Sequence, residues 1–334
     1  MKGDTVPEPR ASQDRASLLA DVAEMYYLQD MNQAQIARVV GVTRSMVSRM
    51  LSEARQKGIV DVTIRRPLQS DRELEAALAA RFKLRAASVV MVRAPDDRRL
   101  LRYLGQGAAD LLQKHLPPKT VVGLAWGTSI SAAVDAIPAD ERAALKIKIV
   151  QLVGALGARN NEYDGHGLVM RLAEKLGGEA YYLNAPFICQ NRQMARALMN
   201  AQSIRETIVL ARKVNVALVG VGSTSPKYSS FYLAGYVPLA ELKAMIAAGA
   251  VGDVCGLHFD ISGREKCGEL CERLVTIQKD DLLKIPLRIG VAGGPGKVNP
   301  ILGALRIGYI NALVTDSVTA KKLLELAQTK RQAV

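Results

Sequence analysis

The sequence predicts an α/β protein: a small N-terminal helix-turn-helix with a wing, then a larger Rossmann-like domain built on a parallel sheet. Three observations carry this expectation. A helical apolar stripe, a glycine turn and a second stripe follow one another between Leu18 and Arg55. Pro67 then interrupts the pattern. Beyond it, short apolar runs alternate with helical stretches, the mark of strands buried on both faces between helices.

Size and composition admit this division. The chain has 334 residues, 49% hydrophobic and 23% charged, enough for a large core beside a small one. The N-terminus MKGDTVPEPRASQDR has no apolar signal core and no run approaches a membrane span, so a cytoplasmic location is expected. Cys189, Cys255, Cys267 and Cys271 form neither a paired framework nor a CxxC motif. Cys267 and Cys271, four apart, read as two ordinary thiols, and with three histidines in the chain no metal site is expected. The formal charge of +13 implies an anionic partner, nucleic acid or a phosphorylated ligand.

Residues 1–15 read as a flexible tail and 16–66 as the first domain. Leu18, Leu19, Val22, Met25 and Tyr26 make a helical stripe. Asn32 is placed to cap a second helix, Gln33 to Val40, with Ile36, Val39 and Val40 inward, and Gly41 permits a tight turn. Thr43 caps a third helix whose Val47, Met50, Leu51 and Ala54 fall on one face. Its other face carries Arg44, Ser45, Ser48, Arg49, Ser52 and Arg55.

From Met31 to Arg66 seven basic residues stand against two acidic ones. A short helix, a glycine turn and a basic, polar helix form the layout that places a recognition helix in the major groove. Arg44 and Arg49 have the fork to read guanine edges, while Gln33, Gln35, Arg38, Thr43, Ser45, Ser48 and Arg55 are suited to phosphates or bases. GIVDVTIRRP then alternates as a strand or wing, with Arg65 and Arg66 set to flank phosphates.

Residues 67–334 read as a ligand-binding and oligomerisation domain. SDRELEAALAARFKL is helical, with Leu74, Leu78 and Phe82 inward. Strands are expected at 88–92, 120–126, 148–154, 179–185, 216–222, 287–293 and 311–316. Several end in loops rich in glycine and hydroxyl residues: GLAWGTSI, LVGALGARN, VGVGSTSP and VAGGPGK. In an open α/β sheet such loops line the ligand crevice. Gly127, Thr128 and Ser129 can cradle a phosphate through amides and hydroxyls, and Gly157, Arg159 and Asn160 offer a second polar loop.

AVGDVCGLHFDISG, 250–263, reads as a hairpin carrying Asp253 and Asp260. Asp260 is the candidate acceptor for sugar hydroxyls, with turn capping as its other reading. VAGGPGKVNP resembles a nucleotide loop only superficially. Gly290 lies one residue too far from Gly296-Lys297, and Val298 stands where magnesium needs Ser or Thr. Nucleotide hydrolysis is therefore not expected, nor any cofactor; Gly293 and Gly294 let the backbone approach a ligand and Lys297 complements its phosphate.

In this order the motifs resemble the SorC family of sugar-responsive bacterial transcriptional regulators, from Leu18 to about Leu326. The specific pieces are MYYLQDMNQAQIARVVGVTRSMVSRMLSEARQKGIVDVTI and IPLRIGVAGGPGKVNPILGALRIGYINALVTDSVTAKKLL, with GLAWGTSI, NAPFI, ALVGVGS and GDVCGLHFDISG between them. The resemblance implies a winged helix-turn-helix, an effector domain similar to sugar-phosphate isomerases, and a homo-oligomer, commonly a tetramer, on palindromic operator DNA. It implies that the WGTS loop, Arg159, Asp260 and Lys297 hold a phosphorylated sugar. Two departures stand out: Asn32 where Thr is usual, and His258 where an aromatic often precedes FD. A repressor of a carbohydrate or polyol operon is the leading reading. An activator, and an isomerase using Asp260 with His258 or Lys297, are the alternatives.

Overall fold

The computed structural model describes residues 9–60, 68–92, 97–139, 146–157 and 163–329. The chain divides into two compact units, Met1–Pro67 and Leu68–Val334.

Among its described residues the first unit holds three helices, α1 (Pro9–Tyr27), α2 (Gln33–Val40) and α3 (Arg44–Gln56). Leu19, Val22, Ile36, Val47, Met50, Leu51 and Ala54 close its core. Each large member contributes about 1.5–3 kcal/mol by burial. α2 starts with a reciprocal capping box: Asn32 Oδ1 accepts the Ala34 and Gln35 amides at 3.0 Å, and Gln35 Oε1 accepts the Asn32 amide at 2.9 Å. Gly41 ends it in the left-handed region at φ 71°, a conformation a side chain resists. Thr43 Oγ1 then caps α3 by accepting the Met46 amide.

Part of the segment expected as a tail over 1–15 is helical. α1 begins at Pro9, and Arg15 donates to Glu53 of α3 at 2.7 Å. The Glu53 carboxylate, bonded by Arg15 and then by Lys57, is lowered to a pKa of about 2. Ile59 and Val60 are not in a strand, and the rest of the expected wing, with Arg65 and Arg66, lies outside the described residues.

The second unit opens with α4 (Arg72–Phe82), β1 (Ala86–Val90), α5 (Asp97–Gln113), β2 (Val121–Leu124), α6 (Thr128–Ala136) and β3 (Lys148–Gln151). Then come α7 (Gly165–Leu176), β4 (Glu179–Tyr181), α8 (Arg192–Asn200), α9 (Gln202–Ala211), β5 (Val216–Gly220) and β6 (Gly222–Ser223). They are followed by α10 (Ser230–Leu233), α11 (Leu239–Ala247), β7 (Gly252–Val254), β8 (Leu257–Phe259), α12 (Glu269–Glu272) and α13 (Lys279–Lys284). The unit ends with β9 (Leu287–Val291), a 3-10 turn at Pro295–Lys297, α14 (Val298–Ile307), β10 (Ala312–Asp316) and α15 (Ser317–Thr329).

Seven strands, one from each apolar run, form a sheet in the order β1-β10-β9-β5-β2-β3-β4. Every pairing in it is parallel. β5 shows why the runs are apolar throughout. Val216 and Leu218 enter the core that contains Leu104, Leu112 and Leu172, while Ala217 and Val219 enter the opposite core with Leu282, Ile301 and Leu323. Alternate side chains point to opposite faces, and both faces are covered by helices. β6, β7 and β8 make a separate antiparallel sheet, with Asp253 opposite His258 in the β7–β8 hairpin.

One cysteine expectation is overturned: Cys267 and Cys271 are joined in a disulfide, with Cα atoms 5.2 Å apart. Gly268 is extended and α12 begins only at Glu269, so Cys267 lies outside the helix that carries Cys271 and the two do not share a helix face.

Candidate functional site

β9, β5 and β2 are neighbours in a parallel sheet, so their carboxyl ends share one edge. The loops that leave them enclose a cavity of about 230 Å³. This is the crevice position where an open α/β sheet takes ligands.

From β2 comes Gly127, at φ 131° and with no side-chain cap on α6, so the first amides of that helix are presented at the cavity. Ser129 Oγ donates to the Val291 carbonyl at 3.0 Å, tying the start of α6 to the end of β9. From β9 come Gly293, Gly294 and Lys297. The Gly294 amide donates to Asp316 Oδ2 at 2.7 Å and to Thr319 Oγ1 at 2.9 Å, anchoring the loop to the start of α15. A Cβ on Gly293 would sit 2.6 Å from that same Asp316 oxygen. Only glycine lets the backbone pass this close to the carboxylate.

From β5 comes Val221, whose carbonyl accepts from Lys297 Nζ at 2.7 Å and aims the ammonium, leaving two N–H donors for a ligand. Burial lowers the Lys297 pKa, opposed by the charge of Asp253. Asp253 lies in the cavity wall and is buried. Its Oδ2 accepts the Gly256 amide at 3.0 Å, and its Oδ1 fills the place a Cβ on Gly222 would take, 1.8 Å from that position. Leu100, Leu104, Trp126 and Phe231 supply an apolar side.

Among the described residues the cavity therefore combines uncapped helix amides, one cation and one carboxylate against an apolar wall. Gly127, Thr128, Ser129, Gly293, Gly294 and Lys297 are all brought to it. Gly157 is exposed and is not among the lining residues, and Arg159 and Asn160 lie outside the described residues.

The structure places Asp260 elsewhere: it does not line the cavity. Its Oδ1 accepts the Ser262 and Arg264 amides at 2.9 and 3.0 Å and the Ser262 hydroxyl at 2.6 Å, while Oδ2 accepts Arg264 Nε at 2.9 Å. Burial opposes its ionisation, but these donors outweigh burial and hold the carboxyl well below the usual range. It staples the turn after β8, while Asp253 is the carboxylate at the cavity. The signal for this was in DISGR: an aspartate followed at two and four residues by turn amides is an Asx-type turn.

His258, opposite Asp253, is buried with its Nδ1 unpartnered, and burial lowers its pKa against the pull of Asp253 and a Gly256 backbone contact. Its ring lies 5.5 Å from that of Phe231.

In the first unit, Arg44, Ser45, Ser48, Arg49 and Arg55 form an exposed row on α3, and Arg38 is exposed on α2. Gln33 is half-buried. Gln35 and Thr43 have oxygens committed to helix caps, so their first role is to shape the turn that presents the row.

Residues 66–325 match the family described as "Putative sugar-binding domain", and residues 16–73 match a Crp-like helix-turn-helix domain. The sorbitol operon regulator of Klebsiella pneumoniae is 30% identical over 312 residues, covering 93% of this chain and 99% of that protein. The deoxyribonucleoside regulator of Bacillus subtilis is 30% identical over 313 residues, covering 93% and 98%. The crystal structure of full-length SorC from Klebsiella pneumoniae superposes with a TM-score of 0.73 at 30% identity, covering 92% of this chain and 98% of that one. Among the described residues no helix is long and apolar enough to cross a membrane. With a helix-turn-helix at one end and a sugar-binding fold over the rest, the chain belongs to the SorC family of DNA-binding transcriptional regulators.

Proposed function

We propose that this regulator is a cytoplasmic repressor of a carbohydrate or polyol operon, released from its operator when a phosphorylated sugar or polyol fills the cavity. One observation supports the ligand class above others: Lys297 and the uncapped start of α6 meet in one cavity with the carboxylate of Asp253. The helix amides and the ammonium suit a phosphate, and the carboxylate suits hydroxyls at the other end of the same molecule.

Control requires that the effector bind one arrangement of a homo-oligomer, a tetramer in this proposal, better than another. A preference of about 1–3 kcal/mol changes operator affinity by roughly 5- to 150-fold. In this reading the cavity binds its ligand without turnover, because the helix-turn-helix gives binding an output, and Asp260, the carboxylate expected for an isomerase, is engaged by Ser262 and Arg264.

The test is a thermal-shift screen of sugars and polyols in phosphorylated and unphosphorylated forms, with hits assayed for release of the DNA upstream of the gene. Phosphorylated compounds alone should raise the melting temperature and release DNA. Equal shifts by unphosphorylated compounds would remove the phosphate from the proposal. Ligand-enhanced DNA binding would replace repression by activation.

A further inference from the structure

After β8 the chain doubles back on itself. Asp260 N donates to the Arg264 carbonyl and Lys266 N to the His258 carbonyl, each at 2.9 Å, and Phe259 bridges Glu265 in antiparallel fashion. Residues 261–267 thus form a strap along the outer side of the β7–β8 hairpin. Its far end is fastened by the Cys267–Cys271 disulfide.

Cys271 lies on α12 with its Sγ 3.7 Å from the Gly256 carbonyl. Gly256 forms the turn of the hairpin with Cys255, at φ 80°, and the place where its Cβ would sit is 2.7 Å from Leu274 and 2.8 Å from Phe187. Its neighbour Cys255 and, two residues before that, Asp253 line the ligand cavity. One covalent bond therefore closes a loop behind the cavity wall.

The two bonded cysteines are also the less buried ones. Cys267 is exposed and Cys271 half-buried, whereas the two free cysteines, Cys189 and Cys255, are buried. A disulfide reachable from solvent exchanges with small thiols, and in a reducing compartment it persists only as a reversible state.

We propose that Cys267 and Cys271 form a reversible thiol–disulfide site that reacts with glutathione disulfide, and that its state sets how firmly the β7–β8 wall of the cavity is held. In the forward direction the Cys267 thiolate attacks one glutathione sulfur, forming a mixed disulfide and expelling glutathione thiolate. The Cys271 thiolate then attacks Cys267 Sγ, closing the intramolecular bond and expelling the second glutathione thiolate. The two protons lost by the protein thiols end on the two glutathiones, so a dithiol is oxidised as one disulfide is reduced. The wall geometry is the same whatever ligand the cavity takes, so the site stands independently of the sugar-phosphate reading.

The full-length protein, equilibrated in glutathione buffers from fully reduced to fully oxidised, is acid-quenched, alkylated and mapped by peptide mass spectrometry. Cys267 and Cys271 are expected to lose alkylation together while Cys189 and Cys255 do not change. Hydrogen exchange of peptides covering 250–262 is expected to be about tenfold faster in the reduced form, since the strap hydrogen-bonded along β8 is fastened at its far end by the cross-link and loosens when it opens. Cys267→Ser should exchange at the reduced rate in both buffers. The inference is overturned by full alkylation of both thiols in oxidised glutathione, by Cys267 halting as a mixed disulfide, or by equal exchange in the two forms of the wild type. A redox response retained by Cys267→Ser would overturn it as well.

Discussion

Asp316 Oδ2 accepts the Gly294 amide at 2.7 Å, so one buried side chain holds the cavity loop while capping α15 through the Val318 and Thr319 amides at 3.0 and 2.9 Å. Asp316 ends β10, and Gly294 follows β9, its neighbour in the sheet. Strand adjacency converts two residues far apart in sequence into one structural joint.

Asp316→Ala is accordingly expected to destabilise the second unit by roughly 2–4 kcal/mol, the sum of a lost cap and unsatisfied buried amides. Effector affinity should fall with it. Chemical denaturation and calorimetric titration measure the two losses; a variant with wild-type stability and affinity would show that Asp316 does not anchor the loop.

Gly222→Ala places a methyl group where Asp253 Oδ1 now sits, 1.8 Å from the new carbon. The carboxylate must leave its position, at a cost of about 1–3 kcal/mol. The expected phenotype is operator binding that no longer responds to effector. In an Asp253→Ala background the same substitution should cost much less, and a double-mutant cycle reads that coupling. Additive effects would mean that the two residues do not compete for the same space.

Arg44 and Arg49 are exposed on α3, so replacing them with Ala should leave melting temperature and oligomeric state unchanged. Specific operator affinity should fall by about 1–3 kcal/mol for each arginine that reads a base. Fluorescence anisotropy at several salt concentrations separates this from loss of phosphate contacts, which lowers the salt slope instead. Unchanged specific binding in the double variant would rule out α3 as the reading helix.

Glu53 links pH to the stability of the first unit. Its pKa falls from 4.5 to about 2 because Arg15 and then Lys57 bond the carboxylate. A depressed carboxylate stabilises the fold fully above its unfolded value; that contribution is lost as pH falls from about 4.5 towards 2. Glu53→Gln should lower stability at neutral pH and flatten the pH dependence across this window. An NMR titration that finds Glu53 at its ordinary pKa would refute the assignment.

Lys297→Ala should abolish the thermal shift caused by phosphorylated ligands while leaving operator binding in place. In the wild type, phosphate-dependent affinity should decline as alkaline pH removes the Lys297 proton, at a lower pH than for an exposed lysine, because burial lowers its pKa. Isothermal titration across alkaline pH tests this, and an affinity that follows an ordinary lysine would contradict it.

The strands and the helix-turn-helix were legible because each rests on local pattern. Apolar runs between helices mark β2, β5 and β9 without knowledge of their order, and Asn32, Gly41 and Thr43 mark α2 and α3 through capping and turn chemistry. The cavity residues of the WGTS and GGPGK loops were legible because parallel strands place such loops on one edge. The turn pattern in DISGR marks Asp260, but nothing local marks Asp253 as the carboxylate at the cavity. Both are buried aspartates on one hairpin, and which one reaches the cavity depends on how β7 packs on β6. The bond from Arg15 to Glu53 was not legible, because it spans helices α1 and α3 and leaves no periodic trace.

Secondary structure, unit boundaries and the chemistry offered by each loop follow from short-range spacing, because caps, turns and amphipathic faces are set within a few residues. The strand order, the pairing of Asp316 with Gly294 and the arrival of Asp253 at the cavity arise only when distant segments meet. Those relations depend on packing and on satisfying buried polar groups across elements, which local spacing does not encode.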